Sequence, residues 1–439
     1  MSKIQNKVNN HLLIPLHGFM TQERSGGIVL AVSVVIALLL ANSPWAAYYS
    51  HFFEYKAGLT FNGSLYMNYS IHHWINDGLM AMFFFVVGLE LKREFIGGEL
   101  SQPRNTILPI CAAIGGMIVP ALIYFLFNSG TTVINGWGIP MATDIAFSLG
   151  ILYLLGNKVP QSAKVFLTTL AIVDDLGAVL VIAFFYTSHI SLVNLGIGFC
   201  FLAVMFIANK MGVKNIIFYA VLGIGGVWTS FLLSGVHATI AAVLSAFMIP
   251  ADSRIPEHIY IARAKKLLSR FKTVQSSDVS TLEGEQLEIL DRMRMEAKYA
   301  IPPSQRLEHA MHPLVSFVIM PLFALANAGI PFVDIDFSSL FSTHVAVGVM
   351  FGLLLGKPIG IIGSTMILTK LHIATLPKTI TSRRIIGLGF LASIGFTMSM
   401  FVSTLAFDSM DNYVQAMVGI FAASILGGIV GYLLLNKKS

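Results

Sequence analysis

Five ionisable residues lie inside long apolar stretches of the 439-residue chain: Asp77, Asp144, Asp174, Asp175 and Lys357. At the centre of a membrane-spanning helix each costs about 2.5 to 3.5 kcal/mol, on the order of 12 kcal/mol together. A lysine and one aspartate can serve only to hold two helices together, but four carboxylates cannot all pair with one amine. The surplus negative charge suits the binding of protons or of hard cations, which take oxygen ligands. In Ala171-Ile-Val-Asp-Asp-Leu-Gly177 the adjacent carboxylates project about 100° apart on a helix, with about 1.5 Å of rise between them. One can face a water-filled cavity and take a cation while the other turns toward a neighbouring helix and its lysine. Adjacent acids also perturb each other's titration, which is how carboxylates come to exchange protons near neutral pH.

The elements that must position these groups are membrane helices. Hydrophobic residues make up 55% of the chain and charged residues 11%, against roughly 25% charged in an ordinary soluble protein. Mean hydropathy is +0.76. A soluble enzyme and a disordered chain are both excluded, and the fold class expected is an all-α polytopic membrane protein. Apolar stretches of about 17 to 25 residues, enough to cross a core of about 30 Å, recur about twelve times: 26–42, 72–91, 106–127, 137–156, 164–186, 192–209, 215–233, 235–250, 312–331, 344–368, 385–405 and 413–435. Lysine and arginine test this count. Of 28, all but two fall in every second compartment between spans, the exceptions being Lys56 on the opposite side and Lys357 within a span. Such alternation places both termini in the cytoplasm. The net charge of +6 is accounted for by these loops, without nucleic acid. Met1–Arg24 carries no signal-peptide pattern, and Cys111 and Cys200 read as small buried hydrophobes with no disulfide framework.

Two spans are interrupted. Gly136-Trp-Gly-Ile-Pro140-Met-Ala-Thr-Asp144, in span four, places a proline and a helix-start signal inside an apolar run. Gly387-Leu-Gly389-Phe-Leu-Ala-Ser-Ile-Gly395-Phe-Thr397, in span eleven, is broken by glycines. The two spans run in opposite directions, the pattern of inverted repeats around a midplane ion site; the other reading is that the glycines simply permit close packing. Broken helices leave charged ends in the membrane, so Asp144 can offset positive ends and Lys357 negative ones, and Pro358 bends the helix that carries Lys357.

The remaining features are peripheral. Residues 55–70 alternate around Asn62-Gly63, an external β-hairpin with a type I′ signal, which either covers a loop or pairs edge to edge with a second copy as a homodimer. Residues 251–303 contain the only sizeable soluble piece, where Leu282, Leu287, Ile289 and Leu290 suggest an amphipathic helix. Its role is a solvated linker, a contact with the bilayer surface or a partner, or regulation. The chain thus divides into a cytoplasmic N-terminus (1–25), spans one to eight (26–250), a cytoplasmic insertion (251–305), spans nine to twelve (306–435) and a cytoplasmic C-terminus (436–439). His237 opens span eight as an ordinary helix-end histidine or as a pH-responsive one. Glu90 and Glu94 close span two, and Glu308, His309 and His312 open span nine, all reading as solvated helix ends. The spacing of His309 and His312 suits a metal, but no third ligand accompanies it.

Seven segments together are similar to the NhaA family of sodium/proton antiporters, whose fold is a known example of inverted repeats. They are Trp74-Ile-Asn-Asp-Gly-Leu-Met80, Val87-Gly-Leu-Glu-Leu-Lys-Arg-Glu94, Ala142-Thr-Asp-Ile-Ala-Phe147, Ala171–Gly177, Ser234-Gly-Val-His-Ala-Thr239, Gly356-Lys-Pro358 and Ile394-Gly-Phe-Thr-Met-Ser399. The resemblance covers nearly the whole chain. It implies that Asp174 and Asp175 bind Na⁺ and protons, that Thr143 lends an oxygen, and that Asp144 and Lys357 balance two crossed broken helices. It also implies a cytoplasmic funnel for pH response lined by Glu90, Glu94, Glu308, His309 and His312. The insertion is longer than the short loop typical of the family.

The expectation is a bacterial inner-membrane antiporter, not an enzyme, with no cofactor and the lipid bilayer as its surroundings. It exports Na⁺, and Li⁺, in exchange for entering protons, by alternating access, in an electrogenic and pH-dependent manner. A sodium-coupled solute symporter is the alternative, but it should show a substrate pocket with extra polar or aromatic groups, and none is identifiable. An intramembrane aspartyl protease needs aspartates on separate helices, which the adjacent pair fits badly.

Overall fold

In the computed structural model, residues 23–61, 64–101, 103–187, 190–274, 281–331, 344–377 and 379–437 are described. The Asn62-Gly63 turn and most of the N-terminal segment lie outside them. In lipid the backbone must satisfy its own polar groups, so each apolar run becomes a helix. In chain order these are α1 (Glu23–Ala41), α2 (Ala46–Glu54), α3 (Ile71–Gly97), α4 (Pro103–Asn128), α5 (Ile145–Leu154), α6 (Gln161–Phe185), α7 (Leu192–Lys210), α8 (Ile216–Ser234), α9 (Ala238–Met248), α10 (Glu257–Thr273), α11 (Gly284–Ala300), α12 (Pro303–Asn327), α13 (His344–Lys370), α14 (Ser382–Ala392), α15 (Phe396–Ala406) and α16 (Met410–Asn436). Among the described residues nine helices are long and apolar enough to cross a membrane, rising to eleven if two bent pairs each count as one span. The eighth expected span holds only α9, whose 11 residues extend about 16 Å. It is cut short because Gly235 adopts a left-handed conformation (φ 84°) that ends the preceding helix.

Large apolar side chains point outward as well as inward. Leu126, Phe184 and Leu192 are each at least 75% exposed, as expected of a surface facing lipid. Cys200 is exposed on α7 and Cys111 half-buried, so the expectation of two buried cysteines is corrected: an apolar run in a membrane protein has a lipid face as well as a core face. Burial divides into one large core, which includes residues of α1, α4, α6, α12 and α13 to α16, a smaller one in which Leu89 of α3 packs with α7, α8 and α9, and a third in which Val87 and Leu91 of α3 meet Ile172 of α6.

The hairpin is present, with β1 (Lys56–Phe61) antiparallel to β2 (Ser64–Ser70). Its alternation slips between Ala57 and Leu59, where Met67 on the facing strand takes a positive φ of 52°, the left-handed conformation found in one class of β-bulge. The insertion differs from the single helix expected. It forms a hairpin of two helices, α10 and α11, joined by ion pairs Arg263–Glu296 (3.1 Å) and Arg270–Glu285 (2.8 Å). Ile289 is buried in that packing, whereas Leu282, Leu287 and Leu290 are exposed. Nor does Pro358 sharply bend its span. A π-helical stretch, Gly352–Gly356, widens the turn just before Lys357 and Pro358, loosening the hydrogen-bond ladder where the proline offers no N–H, so α13 continues unbroken.

Candidate functional site

Span four breaks between a 3₁₀ segment, Ile134–Met141, and α5; span eleven breaks between α14 and α15, which meet at 45°. Pro140 and the extended Ala142 and Asp144 account for the first break. Of the three glycines expected to make the second, only Gly395 lies at it. A Cβ there would come within 3.1 Å of Ala142 O and still closer to Ser399 Oγ, so a glycine is needed where the breaks touch. Gly389 serves close packing instead, since a Cβ there would meet Pro358 Cα at 3.1 Å.

The breaks exchange hydrogen bonds reciprocally. Asp144 N–H donates to Ile394 O (2.6 Å). Ser148, in α5, donates to Leu391 O near the end of α14 (2.8 Å), and Ser399, in α15, donates to Ile139 O in the 3₁₀ segment (2.8 Å). Each hydroxyl thus adds a donor to a carbonyl near the end of the other span's first half; Leu391 O also accepts from Ile394 N–H (3.2 Å). The Asp144 carboxylate accepts from Phe147 N–H (3.0 Å), Thr397 N–H (3.0 Å) and Thr397 Oγ1–H (2.5 Å). One carboxylate therefore caps the N-termini of both second halves, α5 and α15, where its charge is favoured.

Lys357 lies beside this crossing. Its ammonium donates to Thr143 Oγ1 (2.5 Å) and to Asp174 Oδ2, forming an ion pair whose two side chains are fully buried. The Thr143 hydroxyl lies 2.8 Å from Asp174 Oδ2 and 3.0 Å from Ala392 O. Through Thr143, then, Lys357 reaches the carbonyl end of α14. Asp175 is equally buried, but neither of its carboxylate oxygens has a hydrogen-bond partner, and nor does Asp174 Oδ1. An ionised carboxylate left without donors in such a place is very costly, so Asp175 is stable there only with a proton or a cation. Sequence reading placed Thr143, Asp144, Asp174, Asp175 and Lys357 at one site, and the structure brings all five to the crossing. It did not single out Ser148, Ser399 or the capping role of Thr397; hydroxyls four residues beyond each break were the available signal.

The other candidates sit elsewhere. Asp77 lies in a π-helical stretch, Trp74–Leu79, 3.0 Å from His73 Nε2. His237 precedes α9, with Nε2 3.1 Å from Tyr186 O; the Tyr186 hydroxyl in turn donates to Asn135 O (2.6 Å). At the opposite end of α3, Arg93 bridges Glu94 (3.1 Å) and Glu308 (2.6 Å), which joins α3 to α12. His309 and His312 are exposed on α12 and Glu90 is half-buried on α3. Lys92, not singled out from sequence, donates to Phe247 O (2.7 Å) and Ile249 O and so caps the carbonyl end of α9.

The chain is similar to known proteins over nearly its whole length. Residues 17–435 match the family model described as Na⁺/H⁺ antiporter 1. The chain is 47% identical over 426 residues to a Na⁺/H⁺ antiporter NhaA of Oleidesulfovibrio alaskensis, covering 97% of this chain and 94% of that protein. Identity is 44% to Na⁺/H⁺ antiporter NhaA 2 of Syntrophotalea carbinolica (97% of both chains) and 45% to Na⁺/H⁺ antiporter NhaA of Sulfurimonas denitrificans (96% and 95%). With a family model spanning nearly its whole length and relatives this similar, the chain belongs to the NhaA family of Na⁺/H⁺ antiporters.

Proposed function

We propose that the protein exchanges Na⁺, and Li⁺, for protons at Asp174 and Asp175. The observation that carries this reading is the unpartnered Asp175 carboxylate, buried beside the Asp174–Lys357 ion pair where two broken spans cross. Na⁺ prefers carboxylate, carbonyl and hydroxyl oxygens. Binding it at Asp175 and Asp174 Oδ1 requires that Asp175 lose its proton, and a proton returning to the carboxylate releases it. A cation drawn to Asp174 also competes with Lys357. If the lysine gives up its own proton at that step, one Na⁺ exchanges for two protons and net charge crosses the membrane. Thr143 Oγ1, freed from the ammonium, would then be an oxygen available to the ion. Asp144 keeps the crossing intact by capping two helix ends.

The smaller core of α3, α7, α8 and α9 beside the large one supports alternating access by movement of one bundle against the other. The basic loops favour a bacterial inner membrane with both termini cytoplasmic. On this orientation the Arg93–Glu308 bridge lies at the cytoplasmic mouth, where Glu90, Glu94, His309 and His312 provide the pH response, while His237 and Asp77 lie toward the outside. The hairpin edge pairs with a second copy.

Flux in proteoliposomes tests the core of the reading. Imposing a Na⁺ gradient with no added organic solute should drive proton movement in the opposite direction, and an inside-negative potential should alter its rate. Na⁺ uptake that requires an organic solute and moves no protons would establish symport instead.

A further inference from the structure

The exposed face of α10 is not used by anything described above. The helix carries five basic residues, Arg263, Lys265, Lys266, Arg270 and Lys272, against one acidic residue, Glu257. Arg263 and Arg270 point toward α11 and pair with its glutamates. On the other side, at positions i, i+4, i+7 and i+11, stand Ile261, Lys265, Leu268 and Lys272. At about 100° per residue these four fall within an arc of about 60°. Ile261 and Leu268 are 43% and 51% exposed, and both lysines are exposed as well. Among the described residues no carboxylate forms an ion pair with either lysine. One stripe therefore alternates apolar and cationic side chains, the composition of a helix that rests on an anionic membrane surface.

The fold ties the hairpin that carries this stripe to the membrane bundle at its base. The α10–α11 hairpin leaves the bundle at the end of α9 and returns at the start of α12, with only two residues between Ala300 and Pro303. Its base is pinned: Lys214 Nζ donates to Ser253 O (2.6 Å), Arg254 to Lys214 O (3.0 Å), and Ser304 N–H to Pro250 O (3.1 Å). We propose that the Ile261–Lys265–Leu268–Lys272 stripe docks on anionic phospholipid headgroups of the leaflet at whose surface α9 and α12 emerge. The lysines meet the phosphates while Ile261 and Leu268 enter the boundary between headgroups and acyl chains. Nothing in this assignment depends on which ion the bundle carries.

An environment-sensitive fluorophore tests it in the intact protein. Ser269→Cys, beside the stripe, is labelled in a Cys111→Ser, Cys200→Ser background and the protein is placed in nanodiscs of phosphatidylcholine alone or with phosphatidylglycerol. Emission should shift to the blue only with the anionic lipid. Lys265→Gln and Lys272→Gln should reverse the shift, each lysine accounting for roughly fivefold in the docking equilibrium. A label at Leu287→Cys, on the other helix, should be unaffected and reports that the hairpin is folded. Emission at position 269 that ignores lipid charge, or a shift that survives both substitutions, would overturn the proposal; the first is also the outcome if the stripe faces water or an acidic protein.

Discussion

The ammonium of Lys357 is hydrogen-bonded to Asp174 inside the bundle, both side chains fully buried, while the next residue, Asp175, is buried without a donor to either oxygen. Two adjacent acids of identical chemistry thus have opposite surroundings. That asymmetry separates a carboxylate neutralised by a fixed charge from one that needs a proton or an ion, and mutants at the two positions should differ accordingly.

Asp174→Asn and Asp175→Asn should both abolish Na⁺-driven proton flux, because an amide keeps the shape but does not titrate. Their stabilities should diverge. Asn at 174 leaves the Lys357 ammonium without its counter-charge and should lower the melting temperature, whereas Asn at 175 removes a group with no protein donor and should leave it unchanged or raise it. Normal exchange in either variant would remove that aspartate from the site.

Lys357→Ala strips Asp174 of its ion-pair partner. Breaking one half of a buried pair typically costs about 3 to 5 kcal/mol, so thermal unfolding should move well downward and exchange should be lost with it. A melting temperature equal to that of the unsubstituted protein would mean that the pair contributes nothing to holding α13 against α6.

At the crossing, Thr397→Val keeps the side chain's shape and removes the hydroxyl bond to Asp144, leaving a carboxylate with two backbone donors in place of three contacts. A hydrogen bond to a charged group is worth about 1.5 to 3 kcal/mol. Ser148→Ala and Ser399→Ala each remove one hydrogen bond across the crossing, worth about 0.5 to 1.5 kcal/mol. If these three bonds hold the breaks together, all three variants should unfold at lower temperature, and so should Gly395→Ala, whose Cβ displaces the Ser399 hydroxyl from Ile139 O and crowds Ala142 O. Calorimetry or a dye-based melt of purified protein reads the order.

Direct competition at the aspartates gives the pH dependence its sign. Acid supplies the competing proton, so the apparent KM for Na⁺ should rise about tenfold per unit fall in pH for each proton displaced, and saturating Na⁺ should recover much of the rate. Control by the Glu90, Glu94, Glu308, His309 and His312 group would instead lower the maximal rate, with no rescue by Na⁺. Arg93→Ala separates the two, because it breaks the bridge between α3 and α12 without touching the ion site. An unchanged acid profile in that variant leaves competition as the source; a shifted maximal rate assigns control to the bridge.

Much of this was legible in the chain itself. Charged residues are so expensive in lipid that Asp144, Asp174, Asp175 and Lys357 stand out against their apolar surroundings, and helix number follows from hydropathy together with the alternation of lysine and arginine. Local chemistry also marked both broken spans, since Pro140 and the Thr143-Asp144 start signal are readable without a partner. The sequence could not say which glycine makes the second break. Gly387, Gly389 and Gly395 look alike until the fold sets Gly395 between α14 and α15 with Ala142 of the other broken span facing it, and closeness between spans some 250 residues apart is decided by packing. For the same reason Ser148 and Ser399 were indistinguishable from other membrane-helix serines until each faced a carbonyl of the other broken span. The Asp174-Asp175 pair shows the division most sharply. Composition and helical spacing allow either acid to meet the lysine; only the rotation of α6 against α13 gives Asp174 that partner and leaves Asp175 to whatever it binds.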